Sequence, residues 1–287
     1  MSGYEVKISV IIPTYERSSY LLRLLRRLCQ SRYKHFDVII IDQSEHPTNV
    51  DRFLDRLNMQ YHHVSFRGAG LARNFGAKIA TGAIIAFTDD DCIPSKNWLS
   101  KACELFLEKD IIGIEGRIYA PKYKTNPKKY RVVSNRGLEN FGFMTANLFL
   151  KREYFHRVGG FDERFNNPHF REDTDFGWRL QRYGEILFSE DVKVLHPSER
   201  YREETNRNHF FVHDALLFHK HPEKYLELFI KEKHYITNSK FWENFLSGFE
   251  RHHVNKELLH KLLQHNSIDL GYVPLFRIFP FIKNSVI

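Results

Sequence analysis

The sequence comprises 287 residues, of which 42% are hydrophobic and 27% charged, a composition typical of globular proteins that excludes a largely disordered chain. Its formal net charge of +8 favours an anionic partner, but this charge alone does not choose between nucleic acid, a phosphorylated small molecule and a membrane surface. The three cysteines form no CxxC pair, which excludes a disulfide scaffold and a recognisable zinc module.

The N-terminal residues enter a strand-like run directly, and no stretch approaches about 20 consecutive apolar residues. We therefore expect neither a secretory leader nor a bilayer-spanning helix. A cytoplasmic location with reduced cysteines is the corresponding expectation.

Up to about residue 120, short apolar strands alternate with amphipathic helices. In chain order, the patterns predict a strand over 8–12 that stops at Pro13, a helix capped by Ser18 or Ser19, a strand over 38–41, a helix over 50–57, a strand over 61–65, a helix over 68–80, a strand over 83–88 and a helix from Pro94 or Ser95. Strands separated by single helices predict a parallel sheet, and the residues after its strands face the ligand crevice. Asp42 and the triplet Asp89–Asp91 follow two of these strands.

The second half of the chain is less regular. Residues 117–136 carry seven basic side chains and no acid, with tyrosines between them, and are predicted to form a loop. This loop is either simply solvated or faces phosphates or lipid headgroups. A helix over 171–183 and a strand over 192–195 follow, and residues 206–265 read as helices. We predict an α/β domain over 1–200 and a helical extension over 201–287.

The first signal of chemistry is the acidic triplet Asp89–Asp91 at a strand end. Adjacent carboxylates raise each other's pKa unless a cation compensates them. A hard divalent ion such as Mg²⁺ usually does so, binding one or two carboxylates together with substrate phosphates. A solvated acidic turn is the alternative, and the position after an apolar strand favours the metal site.

A second acidic cluster contains Glu172, Asp173 and Asp175, followed by apolar residues at helical spacing. These acids would lie at the N-terminal end of a helix, where the helix dipole favours negative charge. An ordinary acidic helix start explains the pattern equally well. The functional alternative is a general base for a hydroxyl nucleophile.

Taken together, the motifs resemble those of inverting family-2 glycosyltransferases with the GT-A fold. The matching segments occur in the family's order and span about residues 7–198. They are Val10-Ile11-Ile12-Pro13-Thr14-Tyr15, Ile41-Asp42, Gly70-Leu71-Ala72-Arg73-Asn74-Phe75-Gly76, Phe87-Thr88-Asp89-Asp90-Asp91 as the DxD motif, Ala146-Asn147 with Gly159-Gly160-Phe161-Asp162-Glu163, and Glu172-Asp173 as the ED motif.

The resemblance implies a role for each matching position, with Mn²⁺ or Mg²⁺ as the cofactor. The implied nucleotide-binding residues are Pro13, Thr14, Tyr15, Asp42 at the base, Arg73, Asp89 near the ribose, and Asp90. The implied metal ligands are Asp91 and Asp89, and His196 is a further candidate for the metal or the diphosphate. Asp173 would be the catalytic base. The region of the acceptor or donor sugar would contain Asn147, Gly160, Phe161, Asp162 and Glu172.

The family's processive members carry a QxxRW motif, which does not follow residue 173 here. The resemblance therefore implies a single inverting transfer from a nucleotide-diphosphate sugar to a saccharide or lipid-linked saccharide, as in polysaccharide biosynthesis. Two alternatives remain open: a sugar-1-phosphate nucleotidyltransferase and a non-catalytic carbohydrate- or lipid-binding relative. No nucleic-acid recognition motif is present, so a nucleic-acid partner is not expected.

The C-terminal segment 270–283 is aromatic, broken by prolines and weakly basic. Aromatic rings beside cationic side chains suit a membrane interface, and the basic segment 117–136 would add attraction to anionic lipid. We therefore consider peripheral binding to the inner face of a membrane. Packing of this tail on the protein itself is an equal alternative.

Overall fold

The structure is a computed structural model, and it describes residues 6–121, 130–166, 169–200, 208–231 and 239–255. The chain divides into two compact units. The first comprises Met1–Asn167 and Glu172–Arg202, and the second comprises Pro168–Arg171 and Glu203–Ile287. The second unit thus takes in four residues that the sequence-based boundary at residue 200 leaves in the first domain.

The first unit is built on a mixed β-sheet. In chain order, the strands are β1 (Ile8–Thr14), β2 (Phe36–Asp42), β3 (Met59–His63), β4 (Ile84–Phe87), β5 (Ile93–Pro94), β6 (Gly113–Tyr119), β7 (Tyr130–Arg131), β8 (Leu148–Lys151), β9 (Ile186–Leu195) and β10 (Glu199–Arg200). Eight of them form one sheet in the order β3-β2-β1-β4-β8-β6-β9-β5, and β7 pairs with β10 separately. Strands β1 to β4 pair in parallel, whereas β8 runs antiparallel between β4 and β6.

Helices flank this sheet and form most of the described part of the second unit. In the first unit they are α1 (Ser18–Leu28), α2 (Ala69–Ile79), α3 (Trp98–Glu108), α4 (Arg152–Arg157) and α5 (Glu172–Leu180). In the second unit they are α6 (Val212–Lys220), α7 (Pro222–Lys231) and α8 (Ser239–Arg251). The predicted α/β fold with a helical C-terminal part is confirmed. Among the described residues, no helix is both long and apolar enough to cross a bilayer.

The core explains why the strands read as unbroken apolar runs. All seven residues of β1 are buried, and six of the seven in β2. Because both faces of these central strands are covered, hydrophobic and polar residues do not alternate along them. On α1, the leucines at positions 21, 24, 25 and 28 are buried. Their helical spacing places them on one face, where they belong to the same core as β1 and β2.

Three local predictions were wrong. Pro13 lies inside β1 opposite Ile41, because a proline that lacks the N–H can still occupy a strand end. Pro94 likewise pairs with Val194 in β5, so the helix begins only at Trp98. Residues 50–57 form a single 3₁₀ turn over Asp51–Phe53 rather than a helix.

Two further expectations need correction. The N-cap of α1 is Arg17 without a side-chain cap, and Ser18 is already the first helical residue. Arg117 lies in β6 and binds Glu139 and Glu190, so it is an ion-paired strand residue rather than part of a free basic loop. The lysines of residues 122–129 and the tail over 270–283 lie outside the described residues.

Candidate active site

Except for Arg73 in α2, the predicted nucleotide residues lie at or just after the C-terminal ends of neighbouring parallel strands. Thr14 ends β1, Asp42 ends β2, and the triplet Asp89–Asp91 begins two residues after β4. The Thr14 hydroxyl donates a 2.7 Å hydrogen bond to Asp90 Oδ2, so the ends of β1 and β4 are in direct contact. Polar residues converge here as expected for the crevice of an α/β sheet.

Asp42 is buried within a shell of hydrogen-bond donors. Its carboxylate accepts hydrogen bonds from the Tyr61 hydroxyl at 2.6 Å and from the backbone N–H groups of Ser44 and Thr48 at 2.9 and 3.1 Å. Burial raises the pKa of Asp42, but these donors outweigh burial and hold the pKa below its usual value. Asp42 is therefore an anion with a fixed orientation at the end of β2.

Tyr15 is the exposed member of the predicted nucleotide group. Its side chain is 43% exposed, whereas Pro13 and Thr14 before it are buried in β1. The Arg67 guanidinium lies over the Tyr15 ring, 4.5 Å from the ring centre. An accessible aromatic side chain with a cation beside it suits a planar base and an anionic diphosphate.

Arg17 neutralises the acidic triplet on one side. Its Nη1 atom lies 3.0 Å from Asp90 Oδ1 and 3.0 Å from Asp91 Oδ2. Burial nevertheless raises the pKa of Asp90 to about 7, against the lowering effects of Arg17 and Thr14. Arg17 was missed by the sequence reasoning. The signal that could have found it is its position in the segment between the predicted strand ending at Pro13 and the first helix, where residues face the ligand crevice.

The other side of Asp91 fits a metal ion. Among the described residues, none donates a hydrogen bond to its buried Oδ1 atom, which lies 3.4 Å from His196 Nε2. Ligand atoms of Asp91, Cys92 and His196 all lie within 4.8 Å of one another. A buried carboxylate oxygen without a donor, beside an imidazole, is a chemically suitable pair of ligands for a divalent cation. Asp89, the other implied ligand, is turned toward Arg73.

Arg73 connects the two acidic clusters. Its side chain is almost completely buried, with Nη2 2.8 Å from Asp89 Oδ1 and Nη1 3.2 Å from Glu172 Oε1. Burial alone would lower the pKa of Arg73, but Asp89, Glu172 and Asp173 together raise it. The sequence predicts that Arg73 binds the nucleotide. In the structure, its guanidinium lies between the carboxylates of Asp89 and Glu172.

The three acids of α5 have different surroundings. Glu172 is buried against Arg73, and burial raises its pKa despite that partner. Asp175 is buried and paired with Arg179 at 2.9 Å, four residues further along the helix. Asp173 is only half-buried, and its Oδ1 atom accepts the Thr174 N–H at 2.8 Å. Asp173 is thus the most accessible of the three.

The predicted sugar-region residues are mainly joined to the scaffold. Asn147 is buried, donates to the Arg117 and Val192 carbonyls at 3.1 and 2.8 Å, and accepts from Trp98 Nε1 at 2.8 Å. Gly160 has a φ of +73° and approaches Asn74 so closely that an added Cβ would lie 2.7 Å from its Oδ1 atom.

Phe161 and Asp162 continue this scaffold. Phe161 exchanges two hydrogen bonds with the Asn74 side chain and packs on Phe87 and Phe176. Asp162 accepts the Arg164 N–H at the start of a 3₁₀ turn. Phe161 thus connects α2, through Asn74, with α5, through Phe176. Contact of these residues with a sugar stays a prediction.

Two further residues of this region were missed by the sequence reasoning. Tyr61, a donor to Asp42, lies on the neighbouring strand β3, and strand adjacency was the only available signal. Glu115 is buried in β6, and burial raises its pKa to about 7, with Asp173 and Glu139 adding to the rise. Nothing in the sequence around Glu115 distinguishes it from a surface acid.

The acidic clusters at the edge of this mixed α/β sheet agree with the glycosyltransferase motifs of the sequence, and the match to a family model establishes the class of the enzyme. The family model "Glycosyl transferase family 2" matches residues 9–163, more than half of the chain, and the chain belongs to this family.

Curated relatives agree with this assignment. Glycosyltransferase AglE of Haloferax volcanii is 24% identical over 215 residues, which cover 68% of each protein. Pre-mycofactocin glycosyltransferase of Mycobacterium tuberculosis is 26% identical over 241 residues, covering 78% of this chain and 50% of the relative. The chain thus spans about half the length of that relative.

Solved structures show the same fold. S. aureus TarS 1–349 superposes with a TM-score of 0.61 at 17% identity, covering 88% of this chain and 82% of that one. Mannosyltransferase PcManGT of Pyrobaculum calidifontis, in complex with GDP-Man and Mn²⁺, gives 0.57 at 16% identity, covering 96% and 84%.

Proposed function

We propose that this glycosyltransferase transfers one sugar from a nucleotide-diphosphate donor to a hydroxyl of a saccharide or lipid-linked saccharide, with inversion and with Mn²⁺ or Mg²⁺. The observation that carries the proposal is Arg73, which joins the two acidic clusters by binding Asp89 of the triplet and Glu172, the neighbour of the half-buried Asp173. The triplet also holds a buried carboxylate–imidazole pair, Asp91 and His196. The related TarS structure with UDP-GlcNAc and the PcManGT structure with GDP-Man support a nucleotide sugar as donor.

Asp91 and His196 would hold the metal, and Asp89 is the implied third ligand. A divalent cation bound there supplies positive charge to the leaving diphosphate. Arg17 adds a fixed positive charge 3.0 Å from Asp91 Oδ2, the carboxylate oxygen that does not face His196. The base of the nucleotide would lie between the anionic carboxylate of Asp42 and the exposed aromatic ring of Tyr15.

Asp173 would remove the proton from the acceptor hydroxyl, which attacks the anomeric carbon from the face opposite the leaving group. A general base must reach solvent and substrate, and Asp173 is the only half-buried acid among Glu172, Asp173 and Asp175 in α5. Glu172 is committed to Arg73 and Asp175 to Arg179. Holding both substrates in line lowers the entropic part of the barrier.

The base assignment is tested with Asp173→Asn and Glu172→Gln, both of which keep the side-chain shape. A screen of nucleotide sugars by thermal shift with Mn²⁺ first identifies the donor, because a bound ligand raises the apparent stability. We expect turnover to fall by about 10²–10⁴-fold in Asp173→Asn while donor affinity stays unchanged. Near-normal turnover in Asp173→Asn, with loss in Glu172→Gln, would move the base to Glu172.

The metal assignment is tested by calorimetry with Mn²⁺ and a nucleoside diphosphate. Asp91→Ala should abolish Mn²⁺-dependent binding while the thermal unfolding of the ligand-free protein remains cooperative. Asp110→Ala, which removes an exposed acid 4.0 Å from Lys151 Nζ, is the matched control and should bind normally. Equal affinity in Asp91→Ala and in the unchanged protein would remove Asp91 from the metal site.

We also propose peripheral membrane association through the segment 270–283. Its aromatic and basic composition supports this idea. The full chain should co-sediment with anionic vesicles at low salt, and less so at high salt, because lipid charge is then screened. Absence of co-sedimentation at low salt would rule the association out.

A further inference from the structure

A loop between β7 and β8 is fastened along the helix that carries the candidate base. We call this loop, residues 135–143, the strap. Three side chains on one face of α5 and its extension donate hydrogen bonds to three successive strap carbonyls. These bonds join Thr174 Oγ1 to Gly142 O at 3.2 Å, Trp178 Nε1 to Phe141 O at 3.0 Å, and Gln181 Nε2 to Asn140 O at 3.3 Å. The spacing of four and then three residues places the donors on a single helix face.

The other side of the strap is fastened to β6 through Glu115. One carboxylate oxygen of Glu115 accepts the Asn140 backbone N–H at 2.7 Å, and the other accepts Asn135 Nδ2 at 3.2 Å. Glu115 and Asn135 are both fully buried. Arg117, two residues along β6, binds Glu139 of the strap at 2.8 Å. The strap therefore links β6 to α5 through hydrogen bonds on both of its sides.

The backbone of the strap is unusual for a simple connection. Asn140 and Phe143 adopt left-handed conformations, with φ of +59° and +52°. The Phe143 ring is packed against Gly177 of α5 so closely that an added Cβ would lie 2.2 Å from its Cδ2 atom. A bulky residue with positive φ is costly, and such residues persist where the surrounding contacts determine the conformation.

Thr174 connects the strap to the candidate base. Its backbone N–H donates to Asp173 Oδ1 at 2.8 Å. Its hydroxyl lies 3.2 Å from the Gly142 carbonyl and 3.4 Å from the same Asp173 oxygen. The hydroxyl is thus located between the end of the strap and the carboxylate of Asp173.

We propose that Glu115 and Thr174 are positioning residues for Asp173, acting through the strap. This inference rests on the proposed role of Asp173 as the base. Glu115 fixes the strap at Asn140, and the strap carbonyl at Gly142 fixes the Thr174 hydroxyl next to the base. Catalytic groups need placement within about 0.5 Å, and a displacement of about 1 Å can cost about 100-fold in rate.

The test compares Thr174→Val, Thr174→Ser and Glu115→Gln, using the nucleotide sugar found by thermal shift with Mn²⁺. Valine keeps the shape of threonine and removes the hydroxyl. We expect kcat to fall by about 10–100-fold in Thr174→Val and Glu115→Gln, with donor affinity unchanged and with recovery in Thr174→Ser. Ser100→Ala is the matched control, because it removes a hydroxyl of α3 that donates to the Asn97 carbonyl. It should leave kcat unchanged.

Amide hydrogen exchange of the peptide around residues 172–176 provides a readout that does not need turnover. Both Thr174→Val and Glu115→Gln should increase exchange there while leaving β1 and β2 protected. Unchanged kcat and exchange, or equal losses of kcat and donor affinity in both variants, would overturn the positioning role. Full activity of Asp173→Asn would instead overturn the proposed base, and the exchange result would still decide whether the strap holds the start of α5.

Discussion

Arg73 provides the sharpest test of the electrostatics of the site. Its side chain is only 5% exposed, and its two partners differ in accessibility, with Glu172 8% exposed and Asp89 30% exposed. Arg73→Met keeps much of the side-chain volume and removes the charge. Asp89 can then be solvated, whereas Glu172 becomes a buried carboxylate without its cation.

The magnitude follows from the proton that Glu172 must then bind. The ordinary pKa of this carboxyl group is 4.5, so protonating it at pH 7 costs roughly 2.5 pKa units at 1.36 kcal/mol each, about 3 kcal/mol. This is an upper limit on the loss relative to the unchanged protein, where burial already raises the pKa of Glu172. The limit lies at the lower end of the loss of about 3–5 kcal/mol expected when a buried ion pair loses one partner. At pH 5 the same calculation gives an upper limit of about 0.7 kcal/mol.

The sign of the pH dependence follows from the raised pKa. In Arg73→Met, the pKa of folded Glu172 should lie further above its unfolded value than it does in the unchanged protein. Below pH 4.5 this difference costs the variant no stability, and the variant becomes less stable than the unchanged protein as the pH rises. Urea unfolding at pH 5 and pH 7 measures the difference. The double variant Arg73→Met/Glu172→Gln should regain most of the loss at pH 7.

An exposed pair serves as the control. Arg157→Met removes a partner of Glu153 from a helix surface and should cost less than about 0.5 kcal/mol at either pH. An equal loss for Arg73→Met at pH 5 and pH 7, or no recovery in the double variant, would refute the electrostatic explanation.

Two further predictions concern packing and the nucleotide end of the site. Gly177→Ala should destabilise the protein by about 1–3 kcal/mol in urea unfolding, because its Cβ would overlap the Phe143 ring. Gly70→Ala in α2, where the nearest atom is 3.5 Å away, is the helical control, and equal losses would contradict the close packing. Tyr61→Phe should cost about 1.5–3 kcal/mol at pH 7, because a donor to the charged Asp42 is lost. Because the pKa of folded Asp42 is lowered, its charged form stabilises the fold above pH 3.8, and the stability difference between Tyr61→Phe and the unchanged protein should shrink below that pH. A stability difference that stays constant in acid would contradict the role of the Tyr61 hydroxyl.

The sequence predicted the positions that depend on local pattern. Strand β2 and the location of Asp42 at its end follow from a branched apolar run that must be buried on both faces. The helix of Leu21 follows from leucines at helical spacing. Pro94 was misassigned because its strand partner Val194 is distant in the sequence, and no local pattern announces such a pairing.

The site was predictable in its residue types and only partly in its pairings. The rotation of an ideal helix separates Asp173 from Asp175, and the structure pairs Asp175 with Arg179. Within the second unit, Arg171 binds Asp214, a residue far along the sequence, at 3.1 Å. Contacts between residues so far apart depend on tertiary packing, which short-range periodicity does not encode.

The antiparallel insertion of β8 has a consequence for synthesis of the chain on the ribosome. Strand β4 is wholly buried, and one of its edges is covered only by β8, which emerges about sixty residues later. At typical translation rates of about 5–20 residues per second, that edge waits about 3–12 s for its partner. During this interval, the nascent chain presents an apolar, unpaired strand, the kind of edge at which chains associate wrongly. A chaperone that covers this edge during the interval between β4 and β8 would therefore protect the nascent chain.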